Sequence, residues 1–161
     1  MKTDKLYFGA AYYSEYLPYD RVEKDMEMME KAGMNVIRIA ESTWSTLEPQ
    51  EGVYDFTDFD YIYDYWRNRG KAITLGMSAD SLLWYGKAGT GAPDYLLQQL
   101  PRDRVQVRRS LENPQLLYTL CDAGLPLYQE RLSLFLSACD NHFKKSGRPI
   151  RYIDLRGYGL W

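Results

Sequence analysis

The stretch AGMNVIRIAE, residues 32–41, decides the class of fold. It begins with an Ala-Gly pair that ends a helix and continues into a short apolar run, residues 35–40, rich in β-branched side chains. Such a run, without polar alternation, is typical of a strand buried on both faces of a parallel sheet. One charged residue, Arg38, interrupts the run, and burying its charge without a partner would be costly. The stretch therefore predicts a parallel α/β fold, with Arg38 in a structural ion pair, a binding site, or both.

Helices and strands alternate on both sides of this stretch. We expect further strands at residues 6–12, 72–77 and 150–155. Helical spacing of apolar residues predicts three helices between the strands, marked by Val22, Met26 and Met29, by Phe59, Ile62, Tyr63 and Trp66, and by Leu132, Phe135, Leu136, Cys139 and Phe143. Helix-length crossovers imply parallel neighbouring strands. Since a closed eight-stranded barrel needs roughly 200 residues or more, the chain is either half of a barrel or a small open sheet.

A long irregular stretch, about residues 78–124, separates the third predicted strand from the third helix. It is rich in glycine and proline, which interrupt regular structure. We expect it to be a loop insertion that contains short helical pieces, such as residues 94–100.

Composition excludes several functional classes. The chain has 161 residues, 45% of them hydrophobic, and a net charge of -2, which gives no support for a nucleic-acid or anionic-membrane partner. No apolar run has the length of a secretory signal or a membrane span, so we expect a cytoplasmic location. The single histidine, His142, and the separated Cys121 and Cys139 lack metal-ligand or triad spacing, so we expect no metal and no cofactor. We expect Cys139 to be a buried free thiol.

Residues 8–60 carry a family resemblance. Their sequence is FGAAYYSEYLPYDRVEKDMEMMEKAGMNVIRIAESTWSTLEPQEGVYDFTDFD. It resembles the opening of glycoside hydrolase family 42 β-galactosidases, which have a helix ending in Ala-Gly-(Met/Val)-Asn and a strand reading Val-x-Arg-Ile-x-Glu. A segment Trp-x-x-Leu-Glu-Pro-x-x-Gly-x-(Tyr/Phe)-Asp-Phe follows that strand. After residue 66 the resemblance weakens, because residues 79–85 keep a tryptophan but lack the family's prolines.

The resemblance implies an α/β fold in which residues 1–161 form the first four units of a (β/α)₈ barrel, truncated within the catalytic domain. It implies a retaining glycosidase that hydrolyses terminal β-galactosides or related glycans with two carboxyl groups. Those groups would follow barrel strand 4 and lie on strand 7, so we expect both C-terminal to Trp161 and no catalytic residue within the chain. We therefore expect residues 1–161 alone to lack hydrolase activity.

Six residues are candidates for binding the substrate. Arg38 and Glu41 lie at the end of the second strand, where barrel active sites form. Tyr13 ends the first strand next to Tyr12, and one of these two tyrosines should face the barrel mouth. The remaining candidates are Trp44, which could stack on a sugar or fill the core, Trp84 in the long loop, and Arg156 after the fourth strand.

Two alternatives remain open at this point. One is a barrel glycosidase of another specificity, and the other is a non-catalytic carbohydrate-binding or interaction module on a half barrel. Sequence beyond Trp161 would separate them, since a Gly-Glu or Asn-Glu pair there favours the enzyme. Because a half barrel has open strand edges, we also expect self-association.

Overall fold

The computed structural model of the protein describes residues 6–14, 21–41, 43–76, 91–109, 117–148 and 153–154. The strands in these residues are β1 (Gly9–Ala11), β2 (Val36–Ile39), β3 (Ala72–Gly76), β4 (Val105–Arg109), β5 (Leu117–Cys121) and β6 (Ile153–Asp154). The α-helices are α1 (Val22–Lys31), α2 (Trp44–Leu47), α3 (Thr57–Arg67), α4 (Asp94–Gln99) and α5 (Pro126–Lys145), and a 3₁₀ turn covers Arg102–Arg104.

Strands β1, β2, β3 and β6 form one parallel sheet in that order. Arg38 of β2 lies opposite Ala11 of β1 and Thr74 of β3, and Gly76 lies opposite Asp154 of β6. Neighbouring strands of this sheet thus run parallel, which confirms the predicted α/β arrangement. The carboxyl ends of all four strands meet at one edge, which we call the C-terminal rim.

Alternating burial along β2 separates the two faces of the sheet. Ile37 and Ile39 are buried in the hydrophobic core, whereas Arg38 and Val36 are only partly buried. The predicted face of α3 packs into the same core, since Phe59, Ile62, Tyr63 and Trp66 are all buried. Helix α3 is followed by Gly70, whose φ of 72° suits glycine. The helices therefore cover one face of the sheet, and Arg38 belongs to the other.

Helix α5 contributes Tyr128, Phe135, Cys139 and Phe143 to the core. Cys139 is a buried free thiol, as predicted, and burial followed by the nearby charge of Glu48 raises its pKa to about 12. Among the described residues, no helix combines the length and apolar character needed to cross a membrane.

The stretch between β3 and α5 has more regular structure than the sequence analysis predicted. Helix α4 confirms the short helical piece expected near residues 94–100. Strands β4 and β5 form an antiparallel pair, with Val105 opposite Cys121 and Arg109 opposite Leu117. The pattern did not reveal this pair because charged residues interrupt β4 and because strand pairing is a non-local contact. That residues 78–124 are an insertion in a barrel domain stays a prediction.

Ion pairs connect the end of α5 to α3. Arg148 donates through Nε and Nη2 to both carboxylate oxygens of Asp64, at 2.9 and 2.7 Å, and pairs with Asp60 at 2.9 Å. His142 Nε2 lies 2.8 Å from the same Asp60, and its ring stacks on Phe56. His142 thus joins two helices near the end of α5.

The Arg148–Asp64 pair predicts an acid-dependent loss of stability. Hydrogen bonding from Arg148 lowers the pKa of Asp64 below its ordinary value, so the pair stabilises the fold above about pH 4. That contribution is lost as the pH falls through the lowered pKa. Asp64→Asn should therefore flatten the decline of the free energy of unfolding, measured by urea denaturation, between about pH 5 and pH 2. The change should stay below about 1 kcal/mol, because the Asp64 side chain is 47% exposed. Asp140→Asn, at an aspartate paired with Lys144 on exposed α5 surface, is the matched control. Equal pH profiles for Asp64→Asn and the unmodified chain would contradict the prediction.

Candidate functional site

The backbone at the end of β2 bends sharply. Ala40 is buried and has a φ of 64°, a left-handed conformation that residues with a side chain rarely adopt. This conformation costs roughly 1 kcal/mol for a non-glycine residue. It turns the chain so that Glu41 lies beside Arg38, three residues earlier. The strain is thus located at the residue that places the Glu41 carboxylate at the C-terminal rim.

Tyr13 and Arg38 both contact Glu41 at this rim, and we call the three residues the rim triad. The Tyr13 hydroxyl donates a hydrogen bond to Glu41 Oε2 at 2.9 Å, and Arg38 Nη1 forms an ion pair with the same oxygen. Glu41 is only 5% exposed. Within the described part of the chain, its second oxygen, Oε1, is buried without a hydrogen-bond partner. The structure thus brings together three of the six predicted substrate-binding residues.

The structure also distinguishes the two tyrosines after β1. Tyr12 is buried on the helix side, where its hydroxyl donates to Asp25 Oδ2 at 3.3 Å. Arg21 forms an ion pair with that aspartate at 2.7 Å. Neighbouring residues of an extended chain point to opposite faces. Tyr13 is therefore the tyrosine that faces the rim.

Trp44 lies in the core. Its side chain stacks on Phe135 with ring centroids 5.2 Å apart and meets Tyr128 edge-on at 5.5 Å, and only 1% of it is exposed. Its Nε1 donates to Glu48 Oε2 at 2.7 Å. The packing supports the core alternative for Trp44 rather than substrate contact, because a sugar needs an open ring face.

Glu48 is a buried carboxylate whose contact with Trp44 the sequence analysis did not predict. It is 3% exposed, and in addition to the Trp44 donor it accepts a hydrogen bond from the Gly52 backbone N–H at 3.0 Å. Burial, followed by the charge of Glu48, raises the pKa of Tyr54. The signal in the sequence was the four-residue spacing from Trp44 to Glu48, which places both side chains on one side of a helical turn.

The remaining candidates fall outside the described residues. These are Trp84 and Arg156, together with the chain end at Trp161, beyond which the catalytic carboxyl groups are expected. The structure therefore does not test these predictions.

Glu41 stands apart from the other buried acidic residues. Within the described ranges these residues are Asp25, Glu41 and Glu48. Asp25 pairs with Arg21, and Glu48 lies against Trp44. In the same ranges, no group of three or more His, Cys, Asp or Glu side chains is arranged to hold a metal ion. Glu41 is therefore the buried carboxylate placed at the rim.

Chemically, the rim triad is suited to binding polar groups. Glu41 Oε1 can accept a hydrogen bond from a hydroxyl group, and the Arg38 guanidinium supplies several donors in a fixed plane. Hydrogen bonds that involve charged groups are stronger than those between neutral groups. The arrangement is therefore suited to a polyhydroxylated ligand at the carboxyl ends of parallel strands.

Comparison with known proteins identifies the family. The family model Glyco_hydro_42, described as beta-galactosidase, matches residues 11–146. The chain belongs to glycoside hydrolase family 42. This result confirms the resemblance carried by residues 8–60.

Curated beta-galactosidases match part of the chain. Beta-galactosidase YesZ of Bacillus subtilis (strain 168) is 43% identical over 58 residues, which are 36% of this chain and 9% of that protein. Beta-galactosidase BgaA of Clostridium cellulovorans is 34% identical over 104 residues, 65% of this chain and 14% of that protein. The matched part thus spans about a tenth of the length of these curated relatives.

A solved beta-galactosidase fold matches nearly the whole chain. The cold-adapted beta-galactosidase from Rahnella sp. R3 superimposes with a TM-score of 0.69 and 25% sequence identity, covering 99% of this chain and 22% of that one. The four parallel strands and their helices therefore form part of an α/β barrel, as predicted.

Proposed function

We propose that this chain forms the N-terminal half of the catalytic barrel of a retaining β-galactosidase-like hydrolase and that its rim triad binds the sugar. Membership of family 42 supports the glycosidase class. The observation that carries the proposal is the position of Glu41: a buried carboxylate at the C-terminal rim, held through one oxygen by Tyr13 and Arg38. Barrel enzymes build their active sites at this end of the strands.

The two oxygens of Glu41 have different tasks in this proposal. Oε2 is held by Tyr13 and Arg38, which orient the carboxylate. Oε1 then accepts a hydrogen bond from a sugar hydroxyl, which would satisfy a buried acceptor that is otherwise costly to leave without a donor. Arg38 also neutralises the carboxylate charge. The triad therefore binds and orients the sugar, while other residues cleave the bond.

The catalytic carboxyl groups belong elsewhere in the complete barrel. In the family pattern the acid/base follows strand 4 and the nucleophile lies on strand 7, and a retaining pair stands about 5 to 5.5 Å apart. We propose that both lie C-terminal to Trp161 in the parent polypeptide. Residues 1–161 would then bind a galactoside without hydrolysing it.

Binding without turnover is the test of this function. Methyl β-galactoside titrated into the ¹⁵N-labelled chain should shift amide resonances near Glu41, with a Kd in roughly the millimolar range. Glu41→Gln should weaken this binding about tenfold or more, because it replaces an acceptor-only carboxylate by an amide. A nitrophenyl β-galactoside should show no hydrolysis above that of a mock preparation.

Matched controls come from the opposite end of the sheet. Glu30 lies there in a partly exposed ion pair with Lys71 at 3.2 Å. Glu30→Gln makes the same substitution away from the rim and should leave the sugar affinity unaltered. Equal affinities of Glu41→Gln and the unmodified chain would show that the triad is not the sugar site. Turnover above the mock would place catalytic groups within residues 1–161. Tighter binding of a β-mannoside or β-xyloside would indicate another specificity.

Two further predictions accompany this proposal. Among the described strands, β1 and β6 lie at the outer edges of the parallel sheet, and exposed Leu6 and Phe8 precede β1. Edge strands offer backbone groups to another chain. We propose that isolated copies of the chain self-associate through these edges. As a separate proposal, the parent enzyme works in the cytoplasm.

A further inference from the structure

Gly76, the last residue of β3, lies directly beneath the Arg38 guanidinium. A Cβ atom placed on Gly76 would come within 2.7 Å of Arg38 Cζ and Nε and within 2.8 Å of Nη2. Real Cβ atoms essentially never approach another heavy atom so closely. The guanidinium therefore occupies the space that any side chain at position 76 would fill.

Backbone conformation does not account for glycine at this position. The described glycines with positive φ are Gly33, Gly52, Gly70 and Gly147, and Gly76 is not among them. Other residues could adopt its backbone conformation without strain. What distinguishes Gly76 is therefore that the Arg38 guanidinium occupies the place where a Cβ atom would lie.

The sheet holds Gly76 in place. Strand β3 lies between β2 and β6, with Arg38 opposite Thr74 and Gly76 opposite Asp154. Because residues two apart on a strand share a face, Thr74 and Gly76 face the same side as Arg38. A central strand hydrogen-bonded on both edges cannot shift easily. A side chain at position 76 would instead move the guanidinium, which is the far end of a flexible side chain.

We propose that Gly76 is a positioning residue for sugar binding, because the absence of its side chain keeps the Arg38 guanidinium against Glu41. This inference rests on the proposed role of the rim triad. Moving the guanidinium would separate it from Glu41 Oε2, so that within the triad only the Tyr13 hydroxyl would still donate to the buried carboxylate. Both the ion pair and the sugar site would be affected by one methyl group on β3.

A double-mutant cycle on the full 161-residue chain tests this inference without any sugar. Gly76→Ala alone should lower the thermal midpoint by about 2 to 4 °C. In the Arg38→Ala background, where no guanidinium remains to be displaced, the same change should leave the midpoint unaltered or raise it slightly, since alanine restricts the unfolded chain. If Arg38→Ala does not fold, Arg38→Lys provides the second background, and Gly76→Ala should cost less there because an ammonium lacks the planar fork. Gly124→Ala is the matched control, because the nearest atom to its added methyl group is 3.1 Å away on the Asp122 side chain.

Sugar titration separates the inference from the proposed function. Gly76→Ala should raise the Kd for methyl β-galactoside about tenfold, whereas Gly124→Ala should leave it unchanged. If Gly76→Ala lost the same stability in the Arg38→Ala background as in the unmodified chain, Gly76 would have a purely structural role, which would overturn the inference. If the cycle shows coupling but Arg38→Ala leaves the sugar affinity unchanged, Gly76 positions an ion pair that does not bind the sugar. That result would overturn the sugar-binding part of the inference.

Discussion

Replacing Arg38 by alanine is expected to lower the free energy of unfolding by roughly 3 kcal/mol, the lower end of the range for breaking a buried ion pair. The loss arises mainly from Glu41, whose side chain is 6% exposed and would be left without the guanidinium as its charge partner. Arg38 itself is 19% exposed on its side chain, which places the expected loss at the low end. Urea unfolding followed by circular dichroism measures this change.

Removing both charges gives the decisive comparison. The Arg38→Ala/Glu41→Gln double variant should recover a large part of the stability, because the buried carboxylate is gone. Arg69→Ala is the matched control, since that arginine is more exposed and lies 3.6 Å from Glu30 at the far end of the sheet. Its cost should stay within about 1 kcal/mol. If Arg38→Ala were no more destabilising than Arg69→Ala, Arg38 and Glu41 would not act as a buried ion pair.

Replacing Trp44 by alanine is expected to cost about 3 to 5 kcal/mol, as for other buried tryptophans. The substitution removes the ring that packs against Phe135 and Tyr128, and it removes the Nε1 donor to Glu48. Trp44→Phe keeps most of the ring packing and loses only the donor, so its cost should be about 1 to 3 kcal/mol. The urea midpoints of the two variants separate the contribution of packing from that of the hydrogen bond.

The same variants decide between a core role and a sugar-binding role for Trp44. Leu134→Ala on α5, where the side chain is 49% exposed, is the control and should have little effect on stability. Trp44→Phe should bind methyl β-galactoside as tightly as the unmodified chain. A Trp44→Ala variant of unchanged stability and weakened sugar binding would instead make the indole a sugar platform.

Local pattern was sufficient to predict the sheet and its helices. Each predicted strand of the parallel sheet contains an observed one, and the face of α3 from Phe59 to Trp66 is buried as its spacing indicates. These elements depend on burial periodicity, which neighbouring residues express directly. The pair of β4 and β5 was missed, because antiparallel pairing joins residues that are far apart in sequence and leaves only a weak local signal.

The candidate site was only partly predictable for a related reason. Position at the end of a strand was enough to mark Arg38, Glu41 and Tyr13, since the carboxyl ends of parallel strands meet at one edge. The side of the sheet on which an aromatic ring lies depends on packing. The sequence therefore marked Tyr13 without showing that Tyr12 faces the helices, and it left Trp44 open between the core and a sugar contact. Position 76 gave no signal, because its importance lies in the space it leaves for a side chain of the neighbouring strand.

From its sequence alone, the chain could be described as alternating strands and helices that form a parallel sheet, with a charged residue in a buried strand and a family 42 pattern over residues 8–60. Periodicity and residue type determine those features, because each of them lies within one strand, one helix or one continuous stretch of sequence. Only the tertiary structure decided that Glu41 turns back onto Arg38 through the left-handed Ala40 and that Gly76 makes room for the guanidinium. The reason is that these contacts depend on backbone geometry and on neighbouring strands, and they exist only once the strands are aligned in register.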